Sequence, residues 1–269
     1  MDIKIIDAHT HVQMMDSALQ DAVITRACDV GIGMINAGAD EKSSRDAIAL
    51  AHQYEYVWAT VGYHPQEISE KPTDVDWTRM FVELKNLALD EKVVGIGECG
   101  LEYFKLDPSH EREIKNAQKE LFVKHITLAH EVKKPLVIHC REAFADLIEV
   151  LETNKELLLS HAGVVHFFTG TRDDAQKLLA LGFSFTFGGL ITFNRSFDEI
   201  IQYLPLDRIL VETDAPWVAP QSHRGETNEP LYITEVISKF ADIKKVPIQE
   251  LERILLENTK RVFKLVKSE

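Results

Sequence analysis

Four histidines and two carboxylates in this sequence stand at or directly after the ends of short apolar runs. They are His9, His11, Glu98, His139, His166 and Asp214. Imidazole and carboxylate groups are the ligands that divalent ions such as Zn²⁺, Mn²⁺ and Mg²⁺ take from proteins. If these six side chains lie together, they suit two divalent ions with one carboxylate bridging them. Such a positively charged centre would bind a phosphate and activate a water molecule as the nucleophile. The set therefore predicts a hydrolytic centre with two divalent ions.

The pair His9 and His11 is a weak signal by itself. Residues two apart on a strand share a face, so both rings could point at one metal. An isolated pair of this kind is more often a surface feature of a loop, and each of the other four could alone be a buried histidine or a helix-capping acid. The equivalent placement of all six favours a shared site.

Eight runs rich in Val, Ile and Phe predict the strands that position these residues. The predicted strands cover 3–8, 31–37, 57–62, 93–97, 135–139, 163–168, 183–187 and 208–213. Amphipathic helices are predicted between them, most clearly over 109–132 and 248–266. Alternating strands and helices favour a buried parallel sheet.

The length of 269 residues fits a single-domain (β/α)8 barrel, here spanning residues 1–269. In that fold the carboxyl ends of all strands converge on one mouth. An open doubly wound sheet is the alternative. It would usually carry a glycine-rich turn after the first strand, where this chain has residues 7–11.

Composition and charge limit the possible partners. The chain is 45% hydrophobic and 27% charged, as in ordinary globular proteins. Its net charge of −13 excludes a broadly basic surface that coats nucleic acid, and it excludes a polybasic membrane anchor. A polyanionic substrate must therefore be held by a local positive centre. Three scattered cysteines and the lack of an apolar span or signal-peptide pattern predict a cytoplasmic protein with no membrane association. Nothing demands an obligatory protein partner.

Common catalytic motifs do not fit. Residues 95–100 match the spacing of a dinucleotide-binding loop, but Glu98 would repel a pyrophosphate and no helix follows directly. The zincin helix, the nucleophile elbow and the P-loop are absent from the sequence. Cys99 and Cys140 sit beside proposed ligands, and strand alternation predicts that they face away from the mouth as small buried residues.

The successive motifs of the chain resemble those of the TatD-type metal-dependent hydrolases, a family of deoxyribonucleases. The matching segments, in order, are 7–11, 62–65, 97–102, 138–141, 166–170, 212–216, 223–225 and 228–230, with Asn258 and Phe263 in the closing helix. The resemblance extends from residue 5 to about residue 264. Two departures, Phe167-Phe168-Thr169 after His166 and Glu102 after Leu101, leave the proposed ligands intact.

The resemblance implies a TIM-type barrel of the amidohydrolase-like superfamily and a divalent-metal phosphodiesterase that trims DNA as a 3′–5′ exodeoxyribonuclease. It also implies a division of the ligands between two ions, which could be Mg²⁺, Mn²⁺ or Zn²⁺. One ion would be held by His9, His11, Glu98 and Asp214, and the other by Glu98, His139 and His166.

Further roles follow from position and chemistry. We expect Asp214 to act as general base beside the bridging Glu98, and Glu212 either to orient a ligand histidine or to be paired deeper in the barrel. His64 is expected at the mouth, against substrate or water. The expected phosphate contacts are Arg141, Arg195 and Arg224.

Two other functions remain open. One is an esterase or amidohydrolase using the same centre, for example on D-aminoacyl-tRNA. The other is a non-catalytic, metal-stabilised interaction protein, which the complete ligand set disfavours.

Overall fold

The computed structural model describes residues 2–70 and 77–265. Eight parallel strands form one sheet, and their spatial order is their sequence order. The strands are β1 (Ile5–Thr10), β2 (Ile32–Ala37), β3 (Val57–Val61), β4 (Val93–Glu102), β5 (Leu136–Arg141), β6 (Gly163–Val165), β7 (Phe183–Phe187) and β8 (Ile209–Val211). This order confirms the predicted barrel, because a doubly wound sheet places its first strand between others.

Helices lie between the strands and after the last one. They are α1 (Ser17–Asp29), α2 (Glu41–Ala51), α3 (Gln66–Glu70), α4 (Trp77–Ala88), α5 (Glu111–Val132), α6 (Phe144–Thr153), α7 (Arg172–Ala180), α8 (Asp198–Tyr203), α9 (Ile233–Lys244) and α10 (Ile248–Phe263). The helix predicted over 248–266 ends early because Lys264 adopts a left-handed conformation. The last residue of this predicted helix, 266, lies outside the described residues. So do residues 1, 71–76 and 267–269 of the predicted domain. Across 2–70 and 77–265, no helix is long and apolar enough to cross a membrane.

The two ends of the sheet meet where β1 runs beside the residues that follow β8. The Thr213 amide donates to the Asp7 carboxylate (3.0 Å) and the Asp214 amide donates to the His9 carbonyl (3.0 Å). The Thr213 hydroxyl also donates to Asp7 (2.5 Å), which is fully buried. These bonds close the barrel and fix the segment that carries Asp214.

Apolar side chains fill the barrel away from its mouth. A separate buried cluster joins strand residues to the inner face of α10, namely Ile6, Ala8, Ile35, Val94, Val137, Val164, Leu210, Leu256, Val262 and Phe263. Because this part of the interior is packed, polar side chains can gather only near the carboxyl ends of the strands.

Six of the eight predicted strand ends were wrong. Strands β1 and β5 end two residues later than predicted, at Thr10 and Arg141, and β3 ends one residue earlier, at Val61. Strand β4 does not end at residue 97 but continues to Glu102, because its pairing with β5 resumes at Cys99 after a register shift. Strand β6 ends at Val165 and β8 ends at Val211, short of the predicted residues 168 and 213. Phe167 and Asp214 have positive φ, at 47° and 57°, which extended pairing does not permit.

His125 on α5 gives the fold a specific acid sensitivity. Its Nδ1–H donates to the Leu121 carbonyl and its Nε2 accepts from the Tyr63 amide, so both contacts require the neutral ring. Burial lowers its pKa from 6.5 to about 4. Below pH 6.5 the unfolded chain binds this proton and the folded chain does not, so the contribution to stability is complete above pH 6.5 and is lost as the pH falls toward 4.

We therefore expect the free energy of unfolding of metal-free protein to fall less between pH 7 and 5 in His125→Gln than in wild type, by about 2 kcal/mol. Urea unfolding at both pH values measures this difference. Parallel pH dependence in the two proteins would show that His125 is not the titrating group.

Candidate metal centre

A cavity of about 570 Å³ opens at the carboxyl ends of the strands. Five of the six predicted ligands line it: His11, Glu98, His139, His166 and Asp214. The sixth, His9, is fully buried, and its Nε2 lies 3.5 Å from Glu98. The structure therefore brings all six residues together.

The histidine pair comes from the end of β1 through a local irregularity. Ile6 and Ala8 belong to the barrel interior, so strict alternation would turn His9 outward. A register shift between Asp7 and Thr10 breaks that alternation, and His9 points into the mouth. The two Nε2 atoms of His9 and His11 then lie 3.0 Å apart.

Glu98 reaches the centre of the site because glycine stands on both sides of it on β4. Gly97 has φ of +147°, and a Cβ there would lie 2.3 Å from the Val137 carbonyl oxygen. A Cβ at Gly100 would lie 2.1 Å from the carbonyl oxygen of His139. Only glycine permits this close approach of β4 to β5, which places Glu98 beside His139.

The two oxygens of Glu98 face different histidines. Oε1 lies 2.8 Å from His166 Nε2 and 2.9 Å from His139 Nδ1. Oε2 lies 3.3 Å from His11 Nε2 and 3.5 Å from His9 Nε2. One carboxylate thus stands between two pairs of imidazole nitrogens.

Asp214 joins the side of the site occupied by His9 and His11. Its Oδ1 lies 3.8 Å from His9 Nε2 and 3.6 Å from His11 Nε2. The left-handed backbone at Asp214 is one that aspartate tolerates better than most residues.

Burial and charge together set the protonation of the site in the absence of metal. Burial would raise the pKa of Glu98, but the surrounding histidines, His166 foremost, hold it well below its usual value. Burial likewise opposes a charge on His166, yet Glu98 and Glu212 raise its pKa well above the usual value. For His9, burial dominates and lowers the pKa to about 4. Desolvation raises the pKa of Asp214 to about 7.

The donor set fits divalent cations. Three groups of potential ligand atoms lie within 4.8 Å of one another: His9, His166 and Asp214; His9, His11 and Glu98; and His64, Glu98 and His139. Ligand atoms about 2.1 Å from one ion lie roughly 3 to 3.5 Å apart, as the nitrogens of His9 and His11 do. Neutral ring nitrogens facing each other at this distance repel unless a cation or a proton lies between them.

Two further carboxylates lie beside the proposed ligand histidines. Glu212 is fully buried, accepts from the Phe167 amide (2.8 Å) and lies 3.7 Å from His166 Nδ1. Glu102 lies 3.0 Å from His139 Nε2 and accepts from the Phe104 amide. Sequence reasoning proposed an orienting role for Glu212 but none for Glu102, although its place in the matched segment 97–102 was the available signal.

The predicted substrate contacts lie in different settings. His64 lines the cavity, and its Nε2 lies 3.3 Å from Glu98 Oε1. Arg141 also lines the cavity, and its guanidinium lies 3.5 Å from the centre of the Phe104 ring. Arg224 stacks on Phe193 at 4.4 Å and Arg195 pairs with Asp198 at 2.9 Å. Neither Arg195 nor Arg224 is among the residues that line the cavity.

The three cysteines, all within the described ranges, are free thiols, and Cys99 and Cys140 are buried as predicted.

A family model described as TatD related DNase matches residues 6–264. The chain belongs to the TatD family of metal-dependent hydrolases.

Relatives of this TatD-family chain span nearly its whole length. The uncharacterized metal-dependent hydrolase YabD of Bacillus subtilis is 32% identical over 261 residues, which is 96% of this chain and 97% of YabD. The 3′-5′ ssDNA/RNA exonuclease TatD of Pantoea vagans is 34% identical over 252 residues, covering 90% of this chain and 92% of that protein.

Solved structures agree with this assignment. The crystal structure of YJJV, a TatD homolog from Escherichia coli, matches with a TM-score of 0.87 and 30% identity over 98% of this chain and 99% of that chain. The phosphotriesterase homology protein of Escherichia coli matches with a TM-score of 0.68 at 15% identity, covering 96% and 98% of the two chains. The second likeness concerns the fold alone and agrees with the (β/α)8 barrel.

Proposed function

We propose that this TatD-family hydrolase cleaves phosphodiester bonds of DNA, removing nucleotides from the 3′ end of single strands with two divalent ions held on either side of Glu98. The observation that carries the proposal is the division of the Glu98 oxygens between two sets of ligand atoms. The Pantoea vagans relative, a 3′-5′ ssDNA/RNA exonuclease, supports a nucleic-acid substrate. Mg²⁺, Mn²⁺ and Zn²⁺ all remain candidates for the ions.

When bound, the ions would lower the pKa of an attacking water and neutralise charge on the phosphate oxygens. Asp214 is the proposed proton acceptor, since it lines the cavity and its carboxylate lies beside His9 and His11. Glu212 and Glu102 would hold His166 and His139 in place through the contacts described above. Glu98 and Asp214 are thus the proposed catalytic carboxylates.

A few cationic side chains near the cavity are the proposed phosphate contacts, because the net charge of −13 opposes long-range attraction of a polyanion. Arg141 is best placed, since it lines the cavity, and His64 can face the same group. Arg224 lies on Phe193 with its guanidinium available for a strand leaving the mouth. Arg195, bound to Asp198, remains a prediction.

We expect a shallow salt dependence, with log K falling against log salt concentration at a slope of about −2 to −3. Arg224→Ala should weaken binding to all DNA sequences alike and reduce that slope by about 0.7, the value of one single-strand phosphate contact. Arg172→Ala is the matched control, since Arg172 also stacks on an aromatic ring, that of Tyr203, but is not one of the expected phosphate contacts. Wild-type affinity and slope in Arg224→Ala would remove Arg224 from the phosphate site.

The proposal is tested with a 5′-labelled single-stranded oligonucleotide and, in parallel, a panel of carboxyl esters that includes a D-aminoacyl-tRNA. We expect stepwise shortening of the DNA from its 3′ end. Chelation should abolish this activity and leave the circular dichroism unchanged, because the apolar barrel core does not depend on metal. Ester hydrolysis with intact DNA would contradict the proposal and favour the esterase alternative. The cytoplasmic location remains a prediction.

A further inference from the structure

Trp217 is the one aromatic side chain in the described ranges that is left exposed, at 46%. It lines the same cavity as the ligands, and its ring meets His11 edge-on, with centroids 4.9 Å apart and planes at 66°. Tryptophan carries a large apolar surface that folding normally removes from water. Its exposure directly beside a metal ligand calls for a partner that the folded chain does not supply.

The backbone holds Trp217 firmly in this position. Its amide donates to the Asp214 carbonyl (2.9 Å), and its carbonyl accepts from the side chain of Asn228 (2.6 Å). Asn228 is fully buried and also donates to the Thr213 carbonyl (2.8 Å). The ring is therefore presented by a loop tied to the residue just before Asp214.

The loop that presents the Trp217 ring contains a residue with an unfavourable backbone conformation. Val218, next to Trp217, has φ of 50°, a left-handed value that is rare and unfavourable for a β-branched residue. Such strain persists where the surrounding structure imposes it, and it concentrates at ligand-binding sites. The backbone of Val218 and the exposure of the Trp217 ring are thus two separate features that stability alone would not favour.

The cavity combines two kinds of surface. On one side stand Glu98, the histidines and Arg141, which suit an anionic group together with metal. On the other stands the exposed ring of Trp217, which suits a flat apolar group. A nucleotide carries both, because a phosphate and an aromatic base are joined through one sugar. The volume of about 570 Å³ lies in the range of small-molecule sites.

We propose that Trp217 is a stacking platform for the base of the terminal nucleotide, next to the phosphate that is cleaved. This inference rests on the proposed function and deepens it. An unpaired terminal base can turn onto the ring while its phosphate stays at the proposed metal centre, so the platform favours unpaired 3′ ends. Every base presents a π-face, so the selection is independent of sequence.

The test compares two hexathymidylates with phosphorothioate linkages, one ending in thymidine and one ending in an abasic residue, in the presence of Mn²⁺. Fluorescence anisotropy measures the affinity of each. We expect wild type to bind the base-bearing strand about 5- to 150-fold more tightly, the range for one stacked base. Trp217→Ala should bring the ratio to about one, and Trp217→Phe should keep most of it.

Met14→Ala is the matched control, since it removes a similarly exposed apolar side chain from the same cavity without removing a ring. It should keep the wild-type ratio. A full ratio in Trp217→Ala with normal metal content, or an equal loss in Met14→Ala, would overturn the stacking assignment. Hydrolysis of unmodified hexathymidylate by wild type is measured alongside. Its absence would overturn the proposed function, whereas hydrolysis without any preference for the terminal base would overturn only the role of Trp217.

Discussion

Glu98→Ala is expected to reduce hydrolysis roughly a thousandfold or more, the largest loss for any single ligand. Its two oxygens face separate pairs of ring nitrogens, so its removal weakens both proposed ion sites. The lost charge stabilisation amounts to several kcal/mol, and about 1.4 kcal/mol corresponds to tenfold in rate. Steady-state hydrolysis of labelled DNA measures the effect.

Metal stoichiometry separates a bridging role from an ordinary ligand role. We expect Glu98→Ala to retain less metal than His139→Ala or His9→Ala, because each histidine faces only one oxygen of Glu98. Equilibrium dialysis followed by metal analysis gives the number of ions bound by each variant. Two tightly bound ions in Glu98→Ala would show that the bridging assignment is wrong.

Asp214→Asn is expected to lower kcat by about 10²- to 10⁴-fold while changing the affinity for DNA much less. Asparagine keeps the shape of the side chain and tolerates the left-handed backbone at this position, where φ is 57°. It loses the negative charge and the capacity to accept a proton. The defect should therefore fall on the chemical step.

Single-turnover kinetics at saturating DNA, together with a binding measurement on phosphorothioate DNA, resolve the two effects. Metal content is determined in the same samples, since Asp214 also lies near His9 and His11. An unchanged kcat in a fully loaded variant would remove Asp214 from the role of base. An equal loss in affinity would point instead to a part in substrate binding.

The barrel was predictable from sequence because eight apolar runs alternate with amphipathic helices, and that pattern is local. The gathering of the proposed ligands was predictable because parallel strands of a barrel bring their carboxyl ends together, whatever the details of each end. His139, at position four of β5, and His166, one residue after β6, reach the same cavity in this way.

The finer geometry depends on contacts between distant segments, which a local pattern does not contain. His9 points inward through a register shift in the β1–β2 pairing, although simple alternation from Ile6 would turn it outward. Trp217 takes its place from the buried Asn228, eleven residues further along the chain. Arg195 is the opposite case, because its pairing with Asp198 spans three residues and could have been considered from the sequence.

Anomalous diffraction from crystals soaked in Mn²⁺ tests the central claim most directly, because it locates each ion relative to Glu98. The account predicts two peaks separated by this carboxylate. One should lie near Oε2 with His9, His11 and Asp214, and the other near Oε1 with His139 and His166. A single peak, or two peaks that do not share Glu98, would contradict it.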